Sequence, residues 1–563
     1  MQFIIFIAFT LLVGVIAYLA TRNTNENSED GYFLGGRSLT APVIAASLLL
    51  TNLSTEQLVG LNGSAFNEGI LVMAWETLAA IAMVVTATLL LPRYLKGGLT
   101  TIPQFLERRY DTATKSITSG LFLSGYVVVL LPIVLYSGAV AIIGMFDLTS
   151  LFNLSQGTTL VVTVWSIGLI GSVYAIFGGL KAVAVSDTVN AVGLLIGGLM
   201  IPIFGLMYLG DGSLFSGIET LYANDPSKFN AIGSDTSAIP FSTLFTGMVL
   251  VQLFYWGTNQ AIIQRALAAK NLVEGQKGLI IAAFVKILGP IIVVLPGIIA
   301  YSIFGDTLDA SQADQSYGLL VNRVLPPVLL GFFAAVLFGA ILSSFNSALN
   351  SSVTLFGLDI YKQYLNKNAD ERQVVRAGKI FGIVLAVLSM FIATGIANAP
   401  EGLFAYLQEV NGCYTVPILT IILVGYLTQY VPALAAKVAM VLGVTLYSFS
   451  QFFLKDYVIS NGGTYPHFLH IMGMLFLCII AVMLVIGKWR PRTEAYVQAY
   501  TEQVDITPWK PVKIMSVIIT VIVISTYFIF TWAPLVSLER NAFILGSGMY
   551  SSNNVLRSIT PDG

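Results

Sequence analysis

Charged residues are scarce in this sequence of 563 residues. Asp, Glu, Lys and Arg together make up 10% of it, apolar residues make up 56%, and the formal net charge is −1. Ordinary soluble domains contain roughly 25% charged residues, so a soluble protein of this composition could not cover its surface. The shortage excludes a soluble globular enzyme, a disordered protein and a basic nucleic-acid-binding protein. The mean hydropathy of +0.82 predicts instead a membrane protein with many spans.

Metal-binding and disulfide-forming residues are also few. The cysteines are Cys413 and Cys478, both in apolar stretches, and the histidines are His467 and His470. No CxxC pair or further histidine is available to complete a metal site or a disulfide framework. The sequence also lacks a phosphate loop, an ATP-binding motif and a catalytic triad. We therefore expect a protein that is not an enzyme and that draws any energy it uses from an ion gradient.

Long apolar runs are abundant. A helix needs about 20 apolar residues to cross the hydrocarbon core. Fourteen segments meet this requirement, near 2–20, 41–66, 70–94, 116–146, 158–180, 186–208, 240–264, 278–304, 326–355, 379–397, 402–427, 434–454, 467–487 and 512–533. The first has no basic residue before it and no small-residue cleavage site after it, so we expect a spanning helix rather than a signal peptide.

The distribution of basic residues predicts the orientation. With the N-terminus outside, 22 of the 28 Lys and Arg residues fall in inner loops, whereas five fall in outer segments and Lys286 lies within a span. Cytoplasmic loops of membrane proteins carry such an excess. We therefore expect a multi-pass protein of a bacterial inner membrane, in contact with lipid, with both termini and the tail 534–563 outside.

A polar run interrupts the predicted span 41–66. It reads Thr51-Asn52-Leu53-Ser54-Thr55-Glu56-Gln57. Backbone that unwinds inside a membrane must be buried in protein or line a cavity, and broken helices in transporters bind substrates and cations at the break. The run therefore predicts a broken helix at a binding site. The alternative is a polar face that only packs against neighbouring helices.

Two opposite charges also lie within spans. Glu76, beside Trp75, lies in the span 70–94, and Lys286 lies in the span 278–304. A charge at the centre of a membrane helix costs on the order of 2.5–3.5 kcal/mol on insertion scales, so each charge needs a partner. The two residues either form an ion pair that only joins two helices or hydrogen-bond a polar solute.

Two further spans are rich in groups that bind solutes. Amides and aromatic rings share the span 240–264, a mixture that suits sugars because amides bind hydroxyls and rings cover C–H faces. Hydroxyls and amides are dense between Ser343 and Ser352 in the span 326–355, and oxygen ligands suit a hard cation such as sodium. For the first span the alternative is aromatic core packing. For the second it is a close approach of helices through small residues. The first span carries Gln252, Tyr255, Trp256, Asn259 and Gln260.

Eight segments between about residues 31 and 412 carry recognisable motifs. They are DGYFLGGRSL, ASLLLTNLSTEQLVGLNGS, LTTIPQFLERRY, YAIFGGLKAVAVSDTVN, FYWGTNQAIIQRALAAK, AAFVKILGPIIVVLPGI, GAILSSFNSALNSSVTLFGLDIYK and FAYLQEVNG. Together they resemble the sodium solute symporter family, in its sodium/glucose cotransporter branch. The resemblance implies an all-α, LeuT-like fold of inverted five-helix repeats. Its parts would be residues 1–40 (first helix and inner loop), 41–208 and 240–427 (the repeats), 434–533 (three helices) and 534–563 (outer tail).

The resemblance also implies a sodium site. Its ligands would be the backbone carbonyls of Leu50, Leu53 and Ala340 and the hydroxyls of Ser343 and Ser344. Asp187 matches an aspartate on the path by which sodium leaves toward the cytoplasm.

The residues implied to bind the substrate come from six positions. They are Gln57, Glu76, Gln252, Tyr255, Lys286 and Gln408, with gates at Leu61, Trp75, Tyr255, Trp256 and Phe404. Two positions depart from the family pattern, because Gln252 replaces a sugar-binding asparagine and Ala79 replaces a serine. A lost hydrogen bond is worth about 0.5–1.5 kcal/mol net, which is enough to change a preference between epimers.

These features predict a sodium-coupled symporter that imports a neutral sugar resembling galactose or glucose by alternating access. Another small solute is the nearest alternative: an inositol, a sialic acid, a carboxylate or an amino acid. A passive facilitator would leave the charged pair of Glu76 and Lys286 unexplained. A solute sensor would need a cytoplasmic signalling module, which the short inner loops do not provide.

Overall fold

The computed structural model describes residues 2–22, 27–395 and 403–531. These residues form helices and short connections, and the strand-like pairing within them is a single parallel bridge between Leu39 and Ala269. The predicted all-α architecture is therefore confirmed. Apolar runs adopt helices in a membrane because only a helix or a closed barrel satisfies every backbone N–H and C=O group there.

The predicted spans contain short helical segments as well as long helices. Their bounds are Gln2–Thr21, Ala41–Asn52, Thr55–Glu68, Ala74–Val85, Leu91–Lys96, Thr112–Gly125, Leu131–Phe146, Gln156–Leu209, Gly247–Gly257, Gln260–Leu267, Leu272–Lys286, Leu295–Phe304, Pro327–Leu355, Glu371–Gly395, Leu403–Leu427, Ala433–Phe449, Phe468–Trp489 and Val512–Thr531. Segments of π-helix continue several of them, at Thr86–Leu90, Tyr126–Leu130, Pro290–Val294, Phe356–Leu365 and Ser450–Leu454. Shorter helices lie between the spans, at Glu29–Leu34, Gly35–Arg37, Gly69–Met73, Ile102–Arg109, Leu148–Phe152, Leu214–Asn224, Pro226–Phe229, Phe241–Phe245, Ala310–Gln315, Ser316–Val324 and Lys455–Ser460.

The number of membrane-spanning helices depends on how broken helices are counted. Within the described residues, 11 helices are long and apolar enough to cross a membrane, or 12 if the bent pair Leu272–Lys286 and Pro290–Phe304 counts as one span. Two predicted spans consist of shorter pieces, with Ala41–Asn52 in one and Gly247–Gly257 in the other. The count of fourteen stays a prediction. The predicted span ends at 397, 402 and 533 and the tail 534–563 lie outside the described residues.

One glycine separates two predicted spans inside a continuous helical stretch. Gln156–Leu209 runs for 54 residues, but Gly179 within it has φ +60° and ψ −173°. L-amino acids rarely adopt this region, whereas glycine enters it readily. A Cβ at this position would also lie 3.1 Å from the Tyr32 carbonyl oxygen. Gly179 therefore ends the predicted span near 158–180 and allows the next to begin.

A second glycine sets a sharp bend between the first two helices of the core. Gly69 follows Thr55–Glu68 with φ +75° and ψ −149°, a region that essentially only glycine occupies. A Cβ there would overlap the backbone of Lys228. Lys228 itself donates to the carbonyl oxygens of Phe66 and Asn67 at 2.9 and 2.6 Å. The bend and the loop that contains Lys228 are therefore packed as one unit.

We expect Gly69→Ala to destabilise the protein by about 3 kcal/mol or more, because it combines backbone strain with a steric overlap. The midpoint of thermal unfolding of the purified protein measures the effect. Gly144→Ala is the matched control, since Gly144 lies within Leu131–Phe146 and a Cβ there meets nothing within 4 Å. Equal midpoints for the two variants would contradict this account of the bend.

Segments predicted to lie on the same side of the membrane contact one another. The Arg109 guanidinium donates to the carbonyl oxygens of Gly425, Val431 and Thr428 at 2.9, 3.0 and 3.1 Å. Lys437 donates to Asp111 at 2.8 Å, which joins the same two regions by an ion pair. The structure thus brings predicted inner segments together, and the assignment of that side to the cytoplasm stays a prediction.

The helices differ in how much of their surface other helices cover. Pro327–Leu355, which we call the serine-rich helix, is buried along most of its length. By contrast, only 11% of the apolar window in Gln2–Thr21 and 17% of that in Val512–Thr531 are buried. Exposed apolar helices suit a lipid environment. The serine-rich helix therefore lies in the core that positions the site, whereas the first and last helices lie at its periphery.

Candidate functional site

Two helices of the core are broken at corresponding points. Ala41–Asn52 and Thr55–Glu68 are separated by Leu53 and Ser54, and we call the two pieces the broken helix. Gly247–Gly257 and Gln260–Leu267 are separated by Thr258 and Asn259. Each is the first helix of a predicted repeat. Discontinuous helices at matching positions of two halves mark the binding site in many transporters.

The first break leaves polar backbone groups free to bind. Leu53 has φ −78° and ψ +56°, and its N–H donates to the Leu49 carbonyl at 2.7 Å. The last four carbonyls of a helix have no partner within it, so the carbonyls before the break need partners elsewhere. Ser344 Oγ supplies one of them, because it donates to the Thr51 carbonyl at 2.6 Å.

The predicted sodium ligands lie on the two sides of this contact. Leu50 and Leu53 belong to the broken helix, whereas Ala340, Ser343 and Ser344 belong to the serine-rich helix. All five residues are buried. The side-chain oxygen of Ser343 lies 3.1 Å from that of Thr51. The structure therefore brings the two groups of predicted ligands together, although the sequence argument omitted Thr51 from the set.

Asp187 lies beside the same region, in contact with a buried arginine. Ser47 Oγ donates to Asp187 Oδ2 at 2.5 Å, and Arg265 Nε donates to Ser47 Oγ at 2.6 Å. Arg265 is also 4.0 Å from Asp187 and donates to Ser347. Because Arg265 lies near the end of a predicted span, it is one of the 22 basic residues that the sequence pattern assigns to inner loops. Its side chain is instead buried against the predicted exit of sodium.

The six predicted substrate residues line one cavity. The broken helix contributes Gln57, and the second broken segment contributes Gln252 and Tyr255. Ligand sites generally combine apolar walls with a few placed polar groups. The complete lining comprises Asn52, Gln57, Trp75, Glu76, Ala79, Val251, Gln252, Tyr255, Trp256, Lys286 and Gln408. Asn52 and Val251 were not predicted, and the polar run around Asn52 was the available signal.

The two buried charges of the cavity form an ion pair. Lys286 Nζ lies 2.5 Å from Glu76 Oε2, and each side chain is 1% exposed. A buried ion pair is stable only when both charges remain, because either one alone would be uncompensated. The cavity thus carries hydrogen-bonding groups from both residues without a net charge from the pair. Gly289 packs against Glu76 so closely that a Cβ there would overlap the carboxylate.

The amides of the cavity differ in how far the protein already uses them. Gln252 Nε2 donates to the Trp75 carbonyl at 2.9 Å, and Gln252 Oε1 accepts from Trp256 Nε1 at 3.1 Å. By contrast, Gln57 Oε1 is buried and has no hydrogen-bond partner among the described residues. Buried polar atoms are nearly always paired. Gln57 is therefore prepared to accept from a solute, whereas Gln252 also holds two aromatic residues in position.

The predicted gate residues fall into two groups. Trp75 contacts Phe404 edge to face, with ring centroids 5.3 Å apart, and Tyr255 contacts Trp256 in the same manner at 5.1 Å. Trp75, Tyr255 and Trp256 line the cavity directly. Leu61 and Phe404 are buried in the hydrophobic core next to it. Phe404 also packs against Gly60, where a Cβ would meet its Cβ at 2.6 Å.

A sequence profile described as the sodium:solute symporter family matches residues 32–443. The chain belongs to this family. The uncharacterized symporter YidK of Escherichia coli (strain K12) is 47% identical over 528 residues, which are 94% of this chain and 90% of that protein. The sodium/glucose cotransporter of Vibrio parahaemolyticus is 32% identical over 473 residues, covering 80% and 84% of the two chains. The chain is therefore a multi-pass sodium-coupled symporter and not an enzyme.

The family membership agrees with the fold. A solved structure of a substrate-bound, outward-open, Na⁺-coupled sialic acid symporter superposes with a TM-score of 0.74, covering 88% of this chain and 98% of the other. The sequence identity is 18%, so the likeness concerns the fold. The predicted LeuT-like fold is thereby confirmed.

Proposed function

We propose that this symporter imports a neutral sugar resembling galactose or glucose together with sodium. The observation that carries the proposal is the cavity in which Gln57, Gln252, Gln408 and the pair Glu76–Lys286 face Tyr255 and Trp256. Amides and a neutralised ion pair offer both donors and acceptors to hydroxyl groups. Aromatic rings next to them suit the C–H face of a pyranose. A sugar presents both hydroxyls and a C–H face, so it matches this combination of groups.

The balance of charge supports a neutral substrate. Because Lys286 is 2.5 Å from Glu76, its ammonium is not free to neutralise a carboxylate substrate. An amino acid or a sialic acid would bring a carboxylate that needs such a cation. A polyol needs only hydrogen bonds. An inositol meets the same requirement and is the second candidate, supported by a 27% identity to the sodium/myo-inositol cotransporter 2 of Rattus norvegicus over 79% of this chain.

Sodium would bind between the broken helix and the serine-rich helix in our proposal. Its ligands would be the carbonyls of Leu50, Leu53 and Ala340 and the hydroxyls of Ser343 and Ser344. A hard cation favours such oxygen donors, and freed carbonyls at an unwound helix supply them. The nearness of Ser344 to the break supports the assignment, because Ser344 already donates to the Thr51 carbonyl at 2.6 Å. One sodium per cycle is the lower bound.

The proposed cycle couples the two sites through the broken helix. Outside sodium binds first and fixes the break, which orients Gln57 toward the sugar. Closure at Trp75 and Phe404, followed by rocking of one helix bundle, then opens the other side. Sodium leaves past Asp187 and the sugar leaves past Tyr255. The membrane potential contributes about 2.3 kcal/mol per charge per 100 mV. In this proposal residues 41–208 and 240–427 form the inverted repeats, in an inner membrane with both termini outside.

Uptake of labelled glucose and galactose into proteoliposomes tests the proposal. An inward sodium gradient is compared with potassium at the same imposed potential, and a panel of polyols including myo-inositol competes. Accumulation above equilibrium with sodium is the expected result, and the order of competition identifies the sugar. Sodium-independent equilibration would contradict coupling. Sodium binding without transport of any sugar or inositol would contradict the substrate class.

We expect Gln252→Asn to change the preference between glucose and galactose by about two- to tenfold. The shorter amide cannot reach both the Trp75 carbonyl and Trp256 Nε1, so the wall of the cavity shifts, and one hydrogen bond is worth about 0.5–1.5 kcal/mol. The ratio of competition constants for the two epimers measures the change. An unchanged ratio would show that Gln252 does not face the hydroxyls that distinguish them.

A further inference from the structure

A larger cavity lies next to the proposed sugar site. It shares Gln57, Val251, Tyr255 and Gln408 with the first cavity. Its remaining lining includes Glu56, Asn411 and Thr415 and the rings of Phe122, Tyr126 and Tyr414. The helix Leu403–Leu427 passes the first cavity and then the second. Phe404, near its start, packs against Trp75 of the first cavity, whereas Asn411 and Thr415 line the second. The predicted orientation assigns this second cavity to the cytoplasmic side.

Glu56 gives this cavity a carboxylate that has no counter-ion in the part of the chain that the structure describes. The residue is 5% exposed, and within the described residues its side-chain partner is the Ser54 hydroxyl. None of the ion pairs found there includes it. Burial of a carboxylate is costly unless donors surround it. Glu56 therefore needs further hydrogen-bond donors, and the cavity is the space from which they can come.

Thr415 supplies a second, independent observation. It is fully buried, it lines the cavity, and its Oγ1 has no hydrogen-bond partner in the described structure. Thr420 on the same helix behaves in the usual way, since its hydroxyl donates to the Val416 carbonyl at 2.6 Å. Within the same described residues, Gln57 Oε1 is also without a hydrogen-bond partner. Glu56, Gln57 and Thr415, from two helices, thus line one cavity and have unused hydrogen-bonding capacity within the described residues.

We propose that this cavity is a second binding site for the same neutral sugar, occupied after the sugar passes Tyr255 and before it is released. The inference rests on the proposed function. The hydroxyls of a hexose would donate hydrogen bonds to Glu56 and to Gln57 Oε1. The Thr415 hydroxyl could donate a hydrogen bond to the sugar or accept one from it. The aromatic rings in its lining favour an organic solute over a bare cation. Because Gln57 and Gln408 face both cavities, the sugar keeps partners as it moves, and the two sites are filled in turn.

Equilibrium binding of labelled galactose or glucose to the purified full-length protein, in saturating sodium, tests the inference. The variant Glu76→Gln/Lys286→Met disables the first site without leaving a buried charge. We expect this variant to bind hexose more weakly than the unmodified protein. Adding Glu56→Gln or Thr415→Val should weaken the remaining hexose binding about tenfold further. Thr420→Val in the same background is the matched control and should change it less than twofold. Binding of labelled sodium checks that each variant is folded.

The outcomes separate this inference from the proposed function. If the unmodified protein binds no hexose or inositol, the substrate class is wrong. Two results would support the first site and show that the second does not exist, provided that the unmodified protein binds hexose. In one, Glu76→Gln/Lys286→Met binds no hexose. In the other, the hexose binding of that variant is unaffected by Glu56→Gln and Thr415→Val. If Glu56→Gln weakens sodium binding about tenfold and leaves hexose binding unchanged, the cavity binds a cation and the inference is overturned.

Discussion

Lys286→Ala is expected to lower sodium-driven sugar uptake by at least about 100-fold, equivalent to about 2.7 kcal/mol. Truncation removes a donor from the proposed sugar site and leaves the Glu76 carboxylate, which is 1% exposed, without its partner at 2.5 Å. Removal of one member of a buried pair typically costs 3–5 kcal/mol. Initial rates of uptake into proteoliposomes measure the loss, and binding of labelled sodium should persist because the proposed ligands of the ion lie elsewhere.

A charge-balanced variant separates recognition from stability. Glu76→Gln/Lys286→Met removes both charges, so it should unfold at a temperature closer to that of the unmodified protein than Lys286→Ala does. Buried pairs replaced by neutral groups often cost little stability. If the pair only joins two helices, this variant should transport sugar within about threefold of the unmodified rate, a difference of about 0.7 kcal/mol. That result would remove Glu76 and Lys286 from the sugar site.

Much of this architecture follows from the free-energy cost of placing polar groups in a membrane. Glu76 and Lys286 lie far apart in the sequence, but each needs a partner at that depth, and they are each other's partner in the structure. The polar run around Leu53 predicted a broken helix for the same reason, and the helix is broken there. Apolar runs of sufficient length predicted the other helices because the bilayer permits few alternatives.

Other features depend on packing that composition does not reveal. Arg265 appeared to be a loop cation, yet it is fully buried and hydrogen-bonded to Ser47 beside Asp187. The break at Thr258 and Asn259 interrupts a stretch whose amides and rings predicted only a continuous span. Long side chains and single turns of backbone take their final positions from neighbouring helices. The sequence pattern identifies such residues as polar without specifying their partners.

Removal of hydroxyls from the serine-rich helix is expected to have the second large effect, which is on the sodium dependence of uptake. We expect Ser343→Ala/Ser344→Ala to raise the sodium concentration that gives half-maximal uptake by about 100-fold, equivalent to about 2.7 kcal/mol. The two proposed hydroxyl ligands would be lost, together with the hydrogen bond of 2.6 Å from Ser344 to the Thr51 carbonyl, whereas the three carbonyl ligands would remain. Sugar uptake measured against sodium concentration gives this value. The order in which polyols compete should stay the same, because neither serine lines the proposed sugar cavity.

Ser352→Ala is the matched control for the serine-rich helix. Ser352 is fully buried, but its hydroxyl donates at 2.7 Å to the Ala348 carbonyl of its own helix, so its loss should leave sodium dependence within about twofold, or roughly 0.4 kcal/mol. The single variant Ser344→Ala should show a smaller shift than the double variant, again in sodium dependence more than in sugar recognition. If sodium dependence and sugar recognition were lost equally in a protein that remains folded, Ser343 and Ser344 would not be the sodium ligands. Sodium would then have to hold the broken helix open through Thr51 or the carbonyls alone.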